Sequence, residues 1–278
     1  MARQLFIGLV LAIFFGATQA QTKMACIGAS ICAGANSSAR YSDLLNKLLG
    51  NTYQVTNEGV SGTCMLKKAD SPYWNTTKLS DISKLKPAIV TIELGGNDAK
   101  PGNWAHKADF GPDLIDMVNT LERISPKPKV YVCLTIPSFK VNGAWGYGID
   151  GDVITKEQIP LMKHVIDSLG YRFIDLHTPL MGLSSHFGDG VHPDAVVHDT
   201  IAHVIFRALM APTTGLTLAP REGNRHASLG MPAEGGGILP AVGWADLLGR
   251  SLAPAGSARP GRVVRLAAGA YIFLNPEP

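Results

Sequence analysis

The feature that most constrains this sequence is a regular alternation, between residues 21 and 211, of short apolar runs with amphipathic segments of helical period. The apolar runs predict five strands, at residues 23–27, 53–57, 88–94, 129–135 and 171–175. The segments between and after them predict helices over residues 40–49, 112–124, 156–169 and 194–210. Strands that alternate with helices in this way form a parallel sheet with both faces covered. We therefore predict an α/β fold, a three-layer α/β/α sandwich around a five-stranded parallel sheet.

Charge and hydropathy exclude several classes of partner. The 278 residues carry a formal net charge of only +3, and no block of five consecutive Lys or Arg residues occurs. We therefore expect neither nucleic acid nor an anionic membrane surface as a partner. No apolar run reaches the roughly 20 residues that a membrane-spanning helix needs, so no stable membrane association is expected. Nothing in the sequence points to a particular oligomeric state.

The two ends of the chain differ from its middle. Residues 1–20 combine Arg3, an apolar run and the small residues Thr18 and Ala20, which predicts a secretory signal peptide and a secreted or periplasmic protein. Residues 212–278 are rich in Gly, Pro and Ala and contain Arg but no Lys. We predict a poorly ordered extension there, with a β-prone stretch at 271–274 and no assigned function. The domain formed by the alternating strands and helices is expected to span residues 21–211.

The four cysteines fall into two groups by their sequence context. Cys26 and Cys133 lie inside apolar strand-like runs, which is typical of buried hydrophobic residues. Cys32 and Cys64 each follow a motif residue by two positions, and an exported protein permits a disulfide between them. The sequence leaves this pairing open.

Polar or glycine-rich loops follow four of the five predicted strands. These loops contain residues 28–30, 58–62, 95–98 and 189–193. Because the carboxyl ends of parallel strands meet at one edge of the sheet, where such folds bind ligands, the four loops should converge. We predict that the functional site lies there.

The residues in these loops suit nucleophilic catalysis. Ser30 lies on a turn between small residues, where its hydroxyl would be exposed. A serine needs a base, and His192 is the best candidate because Asp189, three residues earlier, can accept its Nδ1–H. The backbone N–H groups of Ser30 and Gly62, with the side-chain amide of Asn97, would then surround the oxyanion formed by attack on an ester.

Each signal also has an ordinary structural interpretation. Serine beside glycine usually marks a turn, and Asn97 after two glycines suits a helix cap. His186, Asp189 and His192 are conceivable metal ligands, but no HExxH or paired CxxC motif supports a metal site. The α/β-hydrolase motif G-x-S-x-G, the dinucleotide motif and the P-loop are absent from the sequence. We therefore predict no metal and no other cofactor.

Four sequence blocks resemble those of the SGNH or GDSL hydrolase family of esterases and lipases. They are Cys26-Ile27-Gly28-Ala29-Ser30-Ile31, Asn57-Glu58-Gly59-Val60-Ser61-Gly62, Glu93-Leu94-Gly95-Gly96-Asn97-Asp98 and Asp189-Gly190-Val191-His192-Pro193. The resemblance implies a flavodoxin-like sandwich and metal-free hydrolysis of acyl esters. It implies that Ser30 is the nucleophile, Gly62 and Asn97 complete the oxyanion hole, His192 is the base and Asp189 orients it. One departure is Ala29, where the family normally has Asp.

Residues 71–76 and 95–104 look like the bacterial branch of sialate O-acetylesterases and carbohydrate acetylesterases. Trp74, Trp104 and Trp145 lie in loops expected near the site, where they would either stack on sugar rings or pack the loops. The sequence thus predicts a secreted serine esterase that removes short acyl groups, acetyl above all, from a small acylated carbohydrate through an acyl-enzyme. The alternatives are a lipase, lysophospholipase or thioesterase on the same residues, and a carbohydrate-binding relative with impaired catalysis.

Overall fold

The computed structural model describes residues 20–211 completely, and four further short strands by their backbone alone. Contacts divide the chain into two units, Met1–Arg225 and His226–Pro278. The second unit contains two antiparallel pairs, formed by strands Trp244–Ala245 with Ser251–Leu252 and Arg262–Arg265 with Tyr271–Leu274. The strand at 271–274 matches the β-prone stretch predicted from the sequence.

The first unit is built on a five-stranded parallel sheet. Its strands are β1 (Thr22–Gly28), β2 (Tyr53–Gly59), β3 (Ile89–Glu93), β4 (Lys129–Cys133) and β7 (Arg172–Ile174). They lie in the order β2-β1-β3-β4-β7, so the strand order reverses beside β1. Two short strands, β5 (Lys140–Val141) and β6 (Ala144–Trp145), form an antiparallel hairpin after β4.

Eight α-helices connect and cover these strands in the part of the chain that the structure describes. They are α1 (Ser30–Ala33), α2 (Tyr41–Leu49), α3 (Lys78–Leu85), α4 (Pro101–Trp104), α5 (Phe110–Glu122), α6 (Gly151–Val153), α7 (Ile159–Leu169) and α8 (Ala195–Met210). A π-helical turn, Ile154–Gln158, joins α6 to α7. Asp194 caps the N-terminus of α8, because its carboxylate accepts the N–H groups of Val196 and Val197.

Alternation along β1 explains the three layers. Met24 and Cys26 face a core with α2 and α8, whereas Ala25 and Ile27 face a second core with α5 and α7. Side chains of a strand alternate between the two faces, so a strand buried on both faces must be apolar throughout. The predicted α/β/α sandwich with a five-stranded parallel sheet is confirmed.

The structure contains elements that the sequence did not predict, and it divides one helix that the sequence did predict. The five strands and the helices α2, α5 and α8 lie within about two residues of their predicted ends. The elements that were not predicted are the helices α1, α3, α4 and α6 and the β5–β6 hairpin. The helix predicted over 156–169 is instead divided, because the π-helical turn occupies its first residues and turns Gln158 inward, where Nε2 donates to the carbonyl of Gly95 (2.9 Å).

The predicted signal peptide, but for its last residue, and most of the predicted C-terminal extension lie outside the described residues. Within the part that is described, no helix is both long and apolar enough to cross a membrane.

Candidate active site

The register of the sheet brings three of the predicted loops to one edge. Gly28, the last residue of β1, pairs with Gly59 of β2 on one side and with Glu93 of β3 on the other. All three strands therefore end at the same level. Ser30, Gly62 and Asn97 follow these ends by two, three and four residues respectively.

Ser30 is the first residue of α1, a single helical turn that follows β1 almost directly. The first N–H groups of a helix have no acceptor within it, so the backbone N–H of Ser30 is free to donate to a ligand. The preceding residue, Ala29, is buried and packs with the core on one face of the sheet. Where the SGNH or GDSL family usually has Asp, this chain therefore has the methyl group of Ala29 in an apolar environment.

Ser30, His192 and Asp189 form a continuous hydrogen-bonded chain. His192 Nε2 lies 2.9 Å from Ser30 Oγ, and His192 Nδ1 lies 2.8 Å from Asp189 Oδ2. Because a carboxylate can only accept, Nδ1 carries the proton and Nε2 accepts the serine hydroxyl. The structure therefore brings together three residues that the sequence separates by as many as 162 positions.

The loop that contains this pair holds Asp189 in its charged form. Asp189 Oδ1 accepts the backbone N–H groups of Val191 (2.9 Å) and His192 (2.7 Å). Burial alone would raise the pKa of Asp189, but these hydrogen bonds and the His192 side chain together lower it to about 2. The carboxylate is consequently ionised at neutral pH and can stabilise an imidazolium.

Asn97 and Gly62 belong to one connected structure. Asn97 Nδ2 donates to the carbonyl of Thr63 (3.1 Å), the residue after Gly62, and the amide group has a second hydrogen to offer. Gly62 has φ of +82°, a conformation that favours glycine. The oxyanion-hole role of Ser30, Gly62 and Asn97 remains a prediction, which this arrangement permits.

Two buried polar residues fix the third loop. Asp98 accepts the backbone N–H groups of Met65 (3.0 Å) and Leu66 (2.7 Å). Asn103 Nδ2 donates to the carbonyl of Asn97 (2.9 Å). Burial raises the pKa of Asp98 to about 6, although the two N–H groups oppose this. These residues hold the loop in its conformation, and among residues 20–211 neither forms a hydrogen bond with Ser30 or His192 side chains.

Sequence reasoning missed two residues that touch the Asp189–His192 pair. Asn36 Nδ2 donates to Asp189 Oδ2 (3.0 Å) and lies 3.4 Å from His192 Nδ1. The ring centroid of Tyr147 lies 5.1 Å from that of His192, with the rings nearly perpendicular. Neither residue lies in one of the four predicted loops, and the two glycines that flank Tyr147 were the one local signal in the sequence.

The three predicted tryptophans differ in their surroundings. Trp104 is only 7% exposed, packs edge-on against Phe110 and donates its indole N–H to Glu157 (2.9 Å). This burial favours the loop-packing alternative for Trp104, and its role in substrate binding remains a prediction. Trp74 and Trp145 are half-buried, and a lysine ammonium lies over each ring, at 4.3 and 4.8 Å. Their role in substrate binding remains a prediction.

All four cysteines are buried free thiols. Cys32 and Cys64 are not bridged, which settles the pairing that the sequence left open. Cys64 lies instead beside Asn103 Nδ2 (3.4 Å) and Asp70 Oδ1 (3.6 Å). Burial raises the pKa of each thiol, that of Cys26 to about 12, so these groups are poor nucleophiles at neutral pH.

His186, Asp189 and His192, which the sequence offered as conceivable metal ligands, do not form a cluster in the structure. His186 Nδ1 pairs with Asp194 (2.8 Å) and not with Asp189. Across residues 20–211 no group of three or more His, Cys, Asp or Glu side chains is placed to hold a metal ion.

The sequence was compared with models of known protein families. The sequence profile of the GDSL-like lipase/acylhydrolase family matches residues 26–199. The chain belongs to this family. The match contains all four loops and therefore confirms the resemblance that the sequence blocks suggested.

Individual relatives share the sequence or the fold. An acetylxylan esterase of Xylanibacter ruminicola is 34% identical in an alignment of 209 residues that covers 67% of this chain but only 43% of that protein. A carbohydrate acetylesterase from Sinorhizobium meliloti (20% identity, TM-score 0.54) and the aryl esterase of M. smegmatis (19% identity, TM-score 0.54) are similar in fold. Each solved structure covers 68% of this chain, and 98% of its own length is matched.

Proposed function

We propose that this GDSL-family protein is a serine esterase that removes acetyl groups from an acetylated carbohydrate. The observation that carries the proposal is the chain of hydrogen bonds from Ser30 through His192 to Asp189. Transfer of the Ser30 proton to His192 Nε2 activates a weak hydroxyl nucleophile, and the Asp189 carboxylate orients the imidazole and stabilises the imidazolium that forms. Family membership supports the same reaction class.

In the first half-reaction Ser30 Oγ forms a bond to the ester carbonyl carbon while His192 Nε2 takes the hydroxyl proton. The carbonyl electron pair moves onto the oxygen, which would accept hydrogen bonds from N–H groups of Ser30, Gly62 and Asn97. Removal of one such donor typically costs about 3 to 4 kcal/mol in the transition state. His192 then protonates the sugar oxygen as the carbon–oxygen bond breaks. The sugar alcohol leaves and an acetyl-serine remains.

In the second half-reaction water takes the place of the alcohol. His192 removes a proton from water as its oxygen attacks the acetyl-serine, and then returns the proton to Ser30 Oγ as acetate leaves. Asp189 stays ionised throughout and stabilises the imidazolium in both halves. No cofactor is required by these steps.

The substrate class is proposed from the relatives. The curated relative is named an acetylxylan esterase, and one relative in fold is named a carbohydrate acetylesterase. The chain spans less than half of the curated relative's length, so its own substrate is an inference from the shared part. A small acetylated sugar or oligosaccharide fits that inference best.

The direct test is Ser30→Ala measured on p-nitrophenyl acetate. We expect hydrolysis to fall to the background rate while the circular dichroism spectrum is unchanged. Ser38→Ala, on an exposed loop residue, is the matched control and should retain activity. Activity of Ser30→Ala comparable to that of the unmodified protein would reject the proposal.

Acyl-chain preference separates an acetylesterase from the lipase, lysophospholipase and thioesterase alternatives. We expect kcat/KM to decrease from acetyl to butyryl to octanoyl p-nitrophenyl esters. A rise along this series would favour a lipase. Glycan binding by calorimetry without any ester cleavage would favour the catalytically impaired relative.

We also propose that the protein is exported, on the basis of the N-terminal segment read from the sequence. The intact mass of protein recovered from outside the expressing cell should correspond to a chain that begins near Gln21. A full-length mass, or recovery only from the cytoplasm, would contradict export.

A further inference from the structure

Tyr147 lies beside the proposed base in a conformation that its residue type rarely adopts. It occupies the turn Gly146–Gly148 between β6 and α6, with φ of +53° and ψ of +18°. This left-handed conformation costs a bulky residue on the order of 1 kcal/mol or more, and such costs persist where the surroundings impose them. Tyr147 is nevertheless 63% exposed, so burial of its own ring does not explain the position.

The segment 138–149, which contains the β5–β6 hairpin and this turn, is attached directly to the Asp189–His192 loop. The backbone N–H of Phe139 donates to the carbonyl of Gly190 (2.8 Å). The Ser138 hydroxyl contacts both that carbonyl (3.2 Å) and the carbonyl of Ile149 (3.0 Å). The first residues of the segment are therefore hydrogen-bonded to the loop, and Ser138 also ties them to Ile149 at the segment's other end.

Glycine is required where the turn meets the loop. A Cβ atom at Gly146 would collide with the backbone carbonyl oxygen of Asp189, and one at Gly190 would collide with that of Phe139. The two backbones are thus in direct contact, and together with the hydrogen bonds from Ser138 and Phe139 to Gly190 this contact positions the turn beside the acid. Tyr147 is held at a fixed distance from His192 as a consequence.

The proposed reaction explains why an aromatic ring beside His192 would be useful. The leaving alcohol receives its proton from His192 Nε2, so the sugar ring must lie next to the imidazole. The C–H faces of a pyranose pack well on an exposed aromatic ring. Among the aromatic rings of residues 20–211, that of Tyr147 packs against His192, whereas Trp104 is buried and Trp145 lies under Lys140.

We propose that Tyr147 forms the leaving-group subsite and stacks on the pyranose ring that carries the acetyl ester. This inference rests on the proposed esterase function and names the residue that selects a sugar over a simpler alcohol. The segment 138–149 positions that residue and the Asp189–His192 loop together.

The test compares two acetate esters that share the acyl group and differ in the alcohol. They are a peracetylated methyl xyloside and methyl acetate, whose methanol leaving group is too small to stack. The variant Tyr147→Asn removes the ring and keeps a residue that tolerates the left-handed conformation. The variant Tyr147→Phe keeps the ring and removes the hydroxyl. Phe173→Ala, at a 49% exposed aromatic residue on β7, is the matched control.

We expect the ratio of kcat/KM for the xyloside to that for methyl acetate to fall about tenfold in Tyr147→Asn. Tyr147→Phe and Phe173→Ala should keep the ratio within about twofold of the unmodified protein. An unchanged ratio in Tyr147→Asn, or an equal loss on both esters, would overturn the inference. So would a loss in Tyr147→Phe as large as that in Tyr147→Asn, because the hydroxyl would then be the recognising group.

The same measurements distinguish failure of this inference from failure of the proposed function. If the unmodified protein hydrolyses neither ester, the esterase proposal fails and the subsite fails with it. If it hydrolyses both esters and only the ratio test fails, the esterase stands and Tyr147 has no part in sugar recognition. Thermal unfolding of each variant checks that its fold is retained.

Discussion

Replacing Glu93 by Gln should remove a pH-dependent loss of stability. Glu93 ends β3 directly behind the turn that carries Ser30; it is only 4% exposed, and its Oε2 has no hydrogen-bond partner among the described residues. A Cβ atom at Gly28 would lie 2.9 Å from that oxygen. Burial raises the pKa of Glu93 from 4.5 to about 8, although the backbone N–H of Cys32 opposes it.

The sign of the effect follows from which state binds the proton. Between pH 4.5 and about 8 the folded protein keeps Glu93 protonated, whereas the unfolded chain releases the proton. Stability therefore decreases as pH rises through this window, by about 1.4 kcal/mol per pH unit. The thiols of Cys32 and Cys133, which face Glu93, have raised pKa values and stay neutral over the same range.

The variant Glu93→Gln keeps nearly the same shape and cannot ionise. From pH 5 to pH 8 we expect the unfolding free energy of the variant, relative to the unmodified protein, to increase by roughly 3 to 4 kcal/mol. For a folded region of this size the relative Tm should rise by roughly 10 °C. The measurement is urea and thermal unfolding by far-ultraviolet circular dichroism at pH 5, 6, 7 and 8.

The control is Glu122→Gln, which removes the ion pair between half-buried Glu122 and exposed Lys127 and should change stability by less than about 1 kcal/mol at every pH. Parallel pH dependence in Glu93→Gln and the unmodified protein would refute the reasoning. That result would mean that Glu93 releases its proton at a similar pH in the folded and unfolded states.

Three other predictions concern the site and its surroundings. Asp189→Asn should lower kcat on p-nitrophenyl acetate by roughly 10³-fold to 10⁴-fold, since the amide no longer stabilises the imidazolium; a loss below tenfold would contradict its role. Asn36→Asp places a carboxylate 3 Å from Asp189 Oδ2 and should move the acidic limb of the pH–rate profile to higher pH, whereas a purely structural role for Asn36 would lower activity without moving that limb. Titration with a thiol reagent in denaturant, without reductant, should find four thiols per chain, and two would indicate a disulfide.

The sequence predicted the sheet and the convergence of the loops for a definite reason. Both follow from local patterns: apolar periodicity sets the strands, and the carboxyl ends of parallel strands must meet at one edge. Ser30 was identifiable because it lies directly beyond a predicted strand. Asp189 and His192 were identifiable because they lie together in one short loop. The 2.9 Å contact between Ser30 and His192 agrees with that expectation.

What the sequence did not predict depends on packing between distant segments. Trp104 looked like a loop residue, but its burial against Phe110 is decided by how α4 folds onto α5. Asn36 and Tyr147 reach the Asp189–His192 pair from a turn and a hairpin segment, and no periodicity encodes such approaches. Glu93 occupies an apolar strand, where its charge gave no sign that burial would change its pKa.

The central claim is that Ser30 is a nucleophile activated by His192. Incubation of the intact protein with a fluorophosphonate, followed by peptide mass spectrometry, tests it most directly. We predict a single stoichiometric adduct on Ser30, formed at least about 100-fold more slowly in His192→Ala, because general-base assistance contributes factors of this size. An adduct on another residue, or equal labelling rates with and without the imidazole, would contradict the claim.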